Sequence, residues 1–87
     1  MDYKIRWHKD ALSDLKKLDK NLSKKIVDKL KNHLVKNPLN LGKPLKGIFK
    51  GMYRYRFGDY RIMYVVKSEE LIILIMTVGH RKKVYKI

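Results

Sequence analysis

The 87-residue chain contains no cysteine. It can form neither a disulfide nor a thiolate metal site, and a reducing compartment such as the cytoplasm suits it. Acidic side chains are scarce, 8 against 22 lysines and arginines, which leaves a formal net charge of +14. The chain cannot neutralise its own cations, and that excess points to a polyanion or to an acidic protein partner. No apolar run is long: LIILIMTV at 71–78 is far short of the roughly 20 residues that span a bilayer, so no membrane partner is expected. The opening MDYKIRWHKD lacks the apolar stretch of a signal peptide. There is no internal repeat, no phosphate-binding loop and no dinucleotide fingerprint. Ser13, Ser23 and Ser68 carry no nucleophile motif. His8 and His33 stand without a second ligand at metal spacing, so neither a metal nor a cofactor is expected.

A chain this short implies a single domain, residues 1–87, that buries about 60–65% of its unfolded surface. Its positive charge is not evenly made. Residues 1–44 hold eleven lysines and one arginine; residues 45–87 hold six lysines and four arginines. A guanidinium offers a planar fork that matches phosphate oxygens, whereas a lysine acts as a point charge. The second half is therefore the place to look for a specific site.

Periodicity predicts an α+β fold. Tyr3, Ile5 and Trp7 alternate with Lys4 and Arg6, as in a short strand. Ala11, Leu12, Leu15 and Leu18 repeat at helical spacing and predict a helix over about 8–18, with Asp10 and Asp14 early in it. Leu22, Ile26, Leu30 and Leu34 predict a second helix over about 22–36, whose lysines form a solvated face. NPLNLGKPLKGIFK, 37–50, reads as a long connection tied down by Leu39, Leu41, Leu45, Ile48 and Phe49. Strands follow at about 51–57, 60–67 and 71–78, as a three-strand antiparallel meander. The last is apolar nearly throughout, which predicts an interior strand covered on both faces. With the N-terminal strand beside it, the sheet has four strands in the order 1-4-3-2, with both helices on one face.

Only Gly58 and Asp59 separate Phe57 from Tyr60, as suits a two-residue type II′ hairpin. That register sets Arg56 opposite Arg61. It also puts Arg54, Arg56, Arg61, Met63 and Val65 on one face and Tyr53, Tyr55, Phe57, Tyr60, Ile62, Tyr64 and Val66 on the other. The aromatic face suits the helices, and the arginine face is left open. Like charges directly opposed repel. Only Asp59, Glu69 and Glu70 are acidic in residues 45–87, and none is placed to neutralise the pair. An external anion, such as a phosphate, accounts for the cluster. The tail adds His80, Arg81, Lys82, Lys83 and Tyr85; strand parity leaves open whether His80 or Arg81 points to the arginine face.

The motifs PLKG (44–47), YRYRFGDYRIMYVV (53–66) and VGHRKKVY (78–85) resemble, in this order and over essentially the whole chain, those of the RelE/ParE superfamily of bacterial and archaeal toxins. The resemblance implies a toxin of a type II toxin–antitoxin system. In its RelE-like branch it implies a metal-independent endoribonuclease that cleaves mRNA in the ribosomal A site and is restrained by an acidic RelB-like antitoxin. A ribose 2′-OH would attack the adjacent phosphate, leaving a 2′,3′-cyclic phosphate and a free 5′-OH. Arg61 matches the family's binder of the scissile phosphate, and Arg81 the arginine that stabilises transition-state charge. Lys82 and Lys83 would add RNA contacts. Arg54 and Arg56 stand where RelE-like toxins often carry lysines. Arginine stays protonated and is a poor base, so proton transfer falls to His80 or Tyr85. Two other functions fit the same resemblance or charge: a ParE-like poison of DNA gyrase, and a basic RNA-binding module without activity.

Overall fold

The computed structural model describes residues 2–80. The order of elements is β1 (Lys4–Trp7), α1 (Lys9–Lys16), α2 (Lys20–Asn32), a 3-10 turn at Leu34–Lys36, α3 (Pro38–Leu41), β2 (Lys43–Pro44), β3 (Tyr53–Phe57), β4 (Tyr60–Lys67) and β5 (Ile72–His80). The fold is α+β, as the periodicity predicts. Helix α1 starts at His8, whose imidazole accepts from the Asp10 backbone N–H, and α2 starts at Asp19, whose carboxylate accepts from Asn21 and Leu22. The Asp19 cap begins α2 two residues before the expected start. Near His33 the helix tightens into the 3-10 turn, so the expected helix to residue 36 ends as two pieces.

The sheet has five strands in the order β1-β5-β4-β3-β2, not four. The four long strands stand in the expected order, with β1 parallel to β5 and β3, β4 and β5 antiparallel. The fifth strand is the pair Lys43–Pro44, bonded to the outer edge of β3. Two residues are too few to show an alternation, and proline, which has no N–H to donate, is tolerated there because the strand is an edge.

Both helices pack on the aromatic face. Ala11, Ile26, Leu30 and Leu34 are wholly buried against Tyr55, Ile62, Tyr64, Ile73, Ile75 and Val78. Each of the larger aliphatic side chains contributes roughly 1.5–3 kcal/mol on burial. Leu12, placed by its spacing among the core residues, is instead 46% exposed. Its neighbour Asp14 turns toward the sheet and accepts a 2.9 Å hydrogen bond from the Val78 backbone N–H. Strand β1 stops at Trp7, opposite Ile75, so the far end of β5 has no strand on that side and the carboxylate takes its place.

The 37–50 connection is anchored only partly as expected, for Leu45 and Phe49 alone of the five named apolar residues are half-buried. Leu39, Leu41 and Ile48 are exposed, Ile48 at 75%. The anchor is Tyr64, whose hydroxyl donates to the Pro38 carbonyl at 2.6 Å while its ring stacks on Tyr53. A Cβ at Gly42 would lie 1.8 Å from the Tyr64 hydroxyl, so the residue passing this point must lack a side chain. Strand β5 is interior, but only its helix side is fully covered; Ile72, Leu74 and Met76 remain half-buried. Among the described residues no helix is long and apolar enough to cross a membrane.

Candidate functional site

The β3–β4 hairpin turns as its sequence dictates. Gly58 takes φ of +58° while Asp59 remains at negative φ, the type II′ pattern. The ladder then pairs Phe57 with Tyr60, Arg56 with Arg61, Tyr55 with Ile62 and Arg54 with Met63. Tyr55, Ile62 and Tyr64 lie in the helix-side core, so the alternating residues Arg54, Arg56, Arg61 and Met63 face away from the helices. Sequence reasoning missed one further cation. Lys43 pairs with Arg54 across the β2–β3 ladder and therefore shares its face. Its signal lay inside a strand too short to read.

The environment of these cations is uneven. Arg56 is exposed, and Arg54 and Arg61 are half-buried. Among the described residues no carboxylate lies within ion-pairing distance of Arg56 or Arg61. Asp59, Glu69 and Glu70 are all exposed, the first at the hairpin tip and the others beyond the opposite end of β4. Among the described residues, two polar atoms of this face are buried without a hydrogen-bond partner: Arg61 Nη1 and Thr77 Oγ1. Met63, between them in the sheet, is only 2% exposed and stands apart from the helix-side core. The arginine face is thus covered around Met63, not open throughout as its polar character suggests.

Strand β5 explains where the remaining candidate lies. Met63 pairs with Thr77 but Tyr64 pairs with Ile75, so Met76 is an extra residue, a bulge that reverses the parity of everything after it. Thr77 and Gly79 therefore join the arginine face, Gly79 directly opposite Arg61. His80 pairs with Tyr60 and lies on the helix side, its ring edge-on to the Tyr60 ring at 5.6 Å. The structure brings Arg54, Arg56 and Arg61 together and places His80 across the sheet from them. Arg81, Lys82, Lys83 and Tyr85 lie outside the described residues.

On the helix side, burial pushes the Tyr55 hydroxyl above its usual pKa, and that hydroxyl is 2.5 Å from His33 Nδ1. Tyr64 is raised further by its deeper burial and then by Tyr53 and Tyr55. Both are neutral structural groups at ordinary pH. Among the described residues no three His, Cys, Asp or Glu side chains gather as metal ligands. The arginine face as described can bind and stabilise an anion, but its guanidinium groups do not exchange protons.

The comparisons agree with this architecture. The family profile described as "ParE toxin of type II toxin-antitoxin system, parDE" matches residues 5–85. Toxin RelG of Mycobacterium tuberculosis is 33% identical over 86 residues, covering 99% of both chains. The toxin–antitoxin complex RelBE2 of Mycobacterium tuberculosis contains a chain that superimposes with a TM-score of 0.88 at 32% identity, covering 93% of this chain and 100% of that one. The archaeal RelE–RelB complex of Pyrococcus horikoshii gives 0.75 at 27%, covering 95% and 99%. Fold and sequence together define a toxin of the type II toxin–antitoxin class. The chain belongs to the RelE/ParE superfamily.

Proposed function

We propose that this toxin is a ribosome-dependent mRNA endonuclease whose arginine face holds the scissile phosphodiester. The observation that carries the reading is Arg61: half-buried, directly opposite Arg56, with one guanidinium nitrogen buried and unpartnered. A buried guanidinium nitrogen without a partner is costly, and a bound phosphate would supply one. In the reaction the resemblance implies, the 2′-oxygen bonds to phosphorus, the bond from phosphorus to the 5′-oxygen breaks, and the products are a 2′,3′-cyclic phosphate and a 5′-OH. The 2′-OH proton leaves to a base and the 5′-oxygen gains one from an acid. Arg61 and Arg81 stabilise the negative charge that builds on the phosphoryl oxygens. Arg54, Arg56, Lys82 and Lys83 hold the flanking RNA. Proton transfer is assigned to Tyr85; His80, across the sheet, is the poorer candidate.

The partners follow from the charge. A net +14 surface favours the ribosome and mRNA in the cytoplasm, and favours restraint by an acidic antitoxin. The matched Mycobacterium tuberculosis and Pyrococcus horikoshii structures are themselves toxin–antitoxin complexes. A second reading, poisoning of DNA gyrase, has one observation in its favour: the matching profile is that of ParE toxins. The experiment that decides adds purified protein to a translating extract and maps mRNA ends by primer extension. Cuts at A-site codons only on engaged ribosomes support the nuclease. Intact mRNA together with trapped gyrase–DNA complexes supports the second reading and overturns the first.

A further inference from the structure

We propose that Thr77 is an anion-binding residue that completes the phosphate seat around Arg61. The inference rests on the reading of the arginine face as that seat and adds a group to it that neither the charge pattern nor the resemblance singles out. Three observations meet at one place. Arg61 Nη1 and Thr77 Oγ1 are each buried without a hydrogen-bond partner. The two residues lie two rungs apart on the β4–β5 ladder, Arg61 with Gly79 and Met63 with Thr77, and all four residues are on the face turned from the helices. The residue directly opposite Arg61 is a glycine, so no side chain stands beside the guanidinium on β5.

Two such atoms on one face of the same two strands are unusual, because buried polar groups in folded proteins nearly always find partners. An oxyanion satisfies both at once. A non-bridging phosphate oxygen accepts from the guanidinium, and the same or the neighbouring oxygen accepts from the threonine hydroxyl. The hydroxyl supplies a donor without adding charge beside Arg56 and Arg61, which already repel one another. The Met76 bulge is what brings Thr77 to this face, and the bond from Val78 to Asp14 holds the strand on the next residue.

The test is a titration of the full-length protein with inorganic phosphate, followed by NMR through the Arg61 side-chain N–H and the Thr77 and Gly79 amides. Wild type is expected to shift at all three groups. Thr77→Val keeps the shape and removes the hydroxyl; it is expected to weaken phosphate binding about three- to tenfold with an unchanged or higher melting temperature. Thr77→Ser is expected to restore affinity to within about twofold. If the valine packs badly, Thr77→Ala gives the same loss of binding with the hydroxyl gone and less bulk. Phosphate affinity unchanged in both hydroxyl-free variants overturns the inference, as do phosphate-induced shifts that miss Arg61. The readout needs no ribosome. A Thr77-dependent seat in a protein that leaves mRNA intact keeps the inference and removes the nuclease reading. Cleavage by a protein whose hydroxyl-free variants bind phosphate normally does the reverse.

Discussion

Arg56 and Arg61 stand directly opposite one another across the β3–β4 hairpin, and no described carboxylate pairs with either. In a structure selected for stability alone, the pair is a defect. Opposed like charges on neighbouring strands cost on the order of 0.2–1 kcal/mol. Arg56→Ala is therefore expected to leave stability unchanged or raise it by a few tenths of a kcal/mol, while RNA binding weakens. Urea unfolding alongside a filter-binding assay separates the two effects. A clear loss of stability would show that Arg56 serves the fold.

Lys43 lies beside Arg54 on the same face, carried there by the short edge strand. If it touches RNA, it does so through phosphate. Lys43→Ala is then expected to weaken binding evenly across RNA sequences and to lower the slope of log affinity against log salt by about 1. An unchanged slope would place Lys43 outside the contact.

Tyr64 and Gly42 fit only because one of them has no side chain. Gly42→Ala drives a methyl into the tyrosine hydroxyl and is expected to cost about 1–3 kcal/mol in chemical unfolding. Combining it with Tyr64→Phe removes the worst contact along with the bond to Pro38 and leaves the ring carbon Cζ as the nearest atom, 2.7 Å from the added methyl, so the double variant should be less destabilised than the sum of the two singles. Strict additivity would mean that the loop does not pack as described.

Alkaline pH should unfold the protein through the same tyrosines. Tyr55 and Tyr64 hold their protons more tightly folded than unfolded, because burial disfavours the phenolate. The unfolded chain releases those protons near pH 10, so the stability they carry is complete below that value and falls as pH rises above it. Each buried tyrosine steepens the fall by up to about 1.4 kcal/mol per pH unit. Tyr64→Phe should flatten the curve of stability against pH above 10; an unchanged curve would contradict the burial argument.

Asp14 accepts from the Val78 N–H where β1 no longer covers the edge of β5. Asp14→Ala removes that partner and is expected to cost about 1–3 kcal/mol, with amide exchange at Val78 accelerated more than elsewhere in β5. Uniform acceleration through the strand would assign the loss to helix α1 as a whole.

What the sequence made legible follows from how local each signal is. The hairpin register could be read because Gly58-Asp59 admits few turns, and the register in turn sorted arginines from tyrosines. The fate of His80 could not be read, because a single extra residue, Met76, reverses every side chain beyond it and bulges leave no mark in an apolar run. Lys43 was hidden for the opposite reason: its strand is two residues long and contains a proline. Asp14 lies early in its predicted helix, where a carboxylate suits the helix dipole, and that placement does not reveal an acceptor for a distant strand. Thr77 is an ordinary strand residue until its unpartnered hydroxyl is considered together with the unpartnered nitrogen of Arg61 on the same face.

The most direct measurement of the central claim compares wild type with Arg61→Ala in a translating extract, mapping mRNA ends while following the thermal melt of each protein. A functional anion seat predicts A-site cleavage by wild type, a loss of at least about a hundredfold in the variant, and a melting temperature that is equal or higher. Full cleavage by a folded Arg61→Ala protein would contradict it.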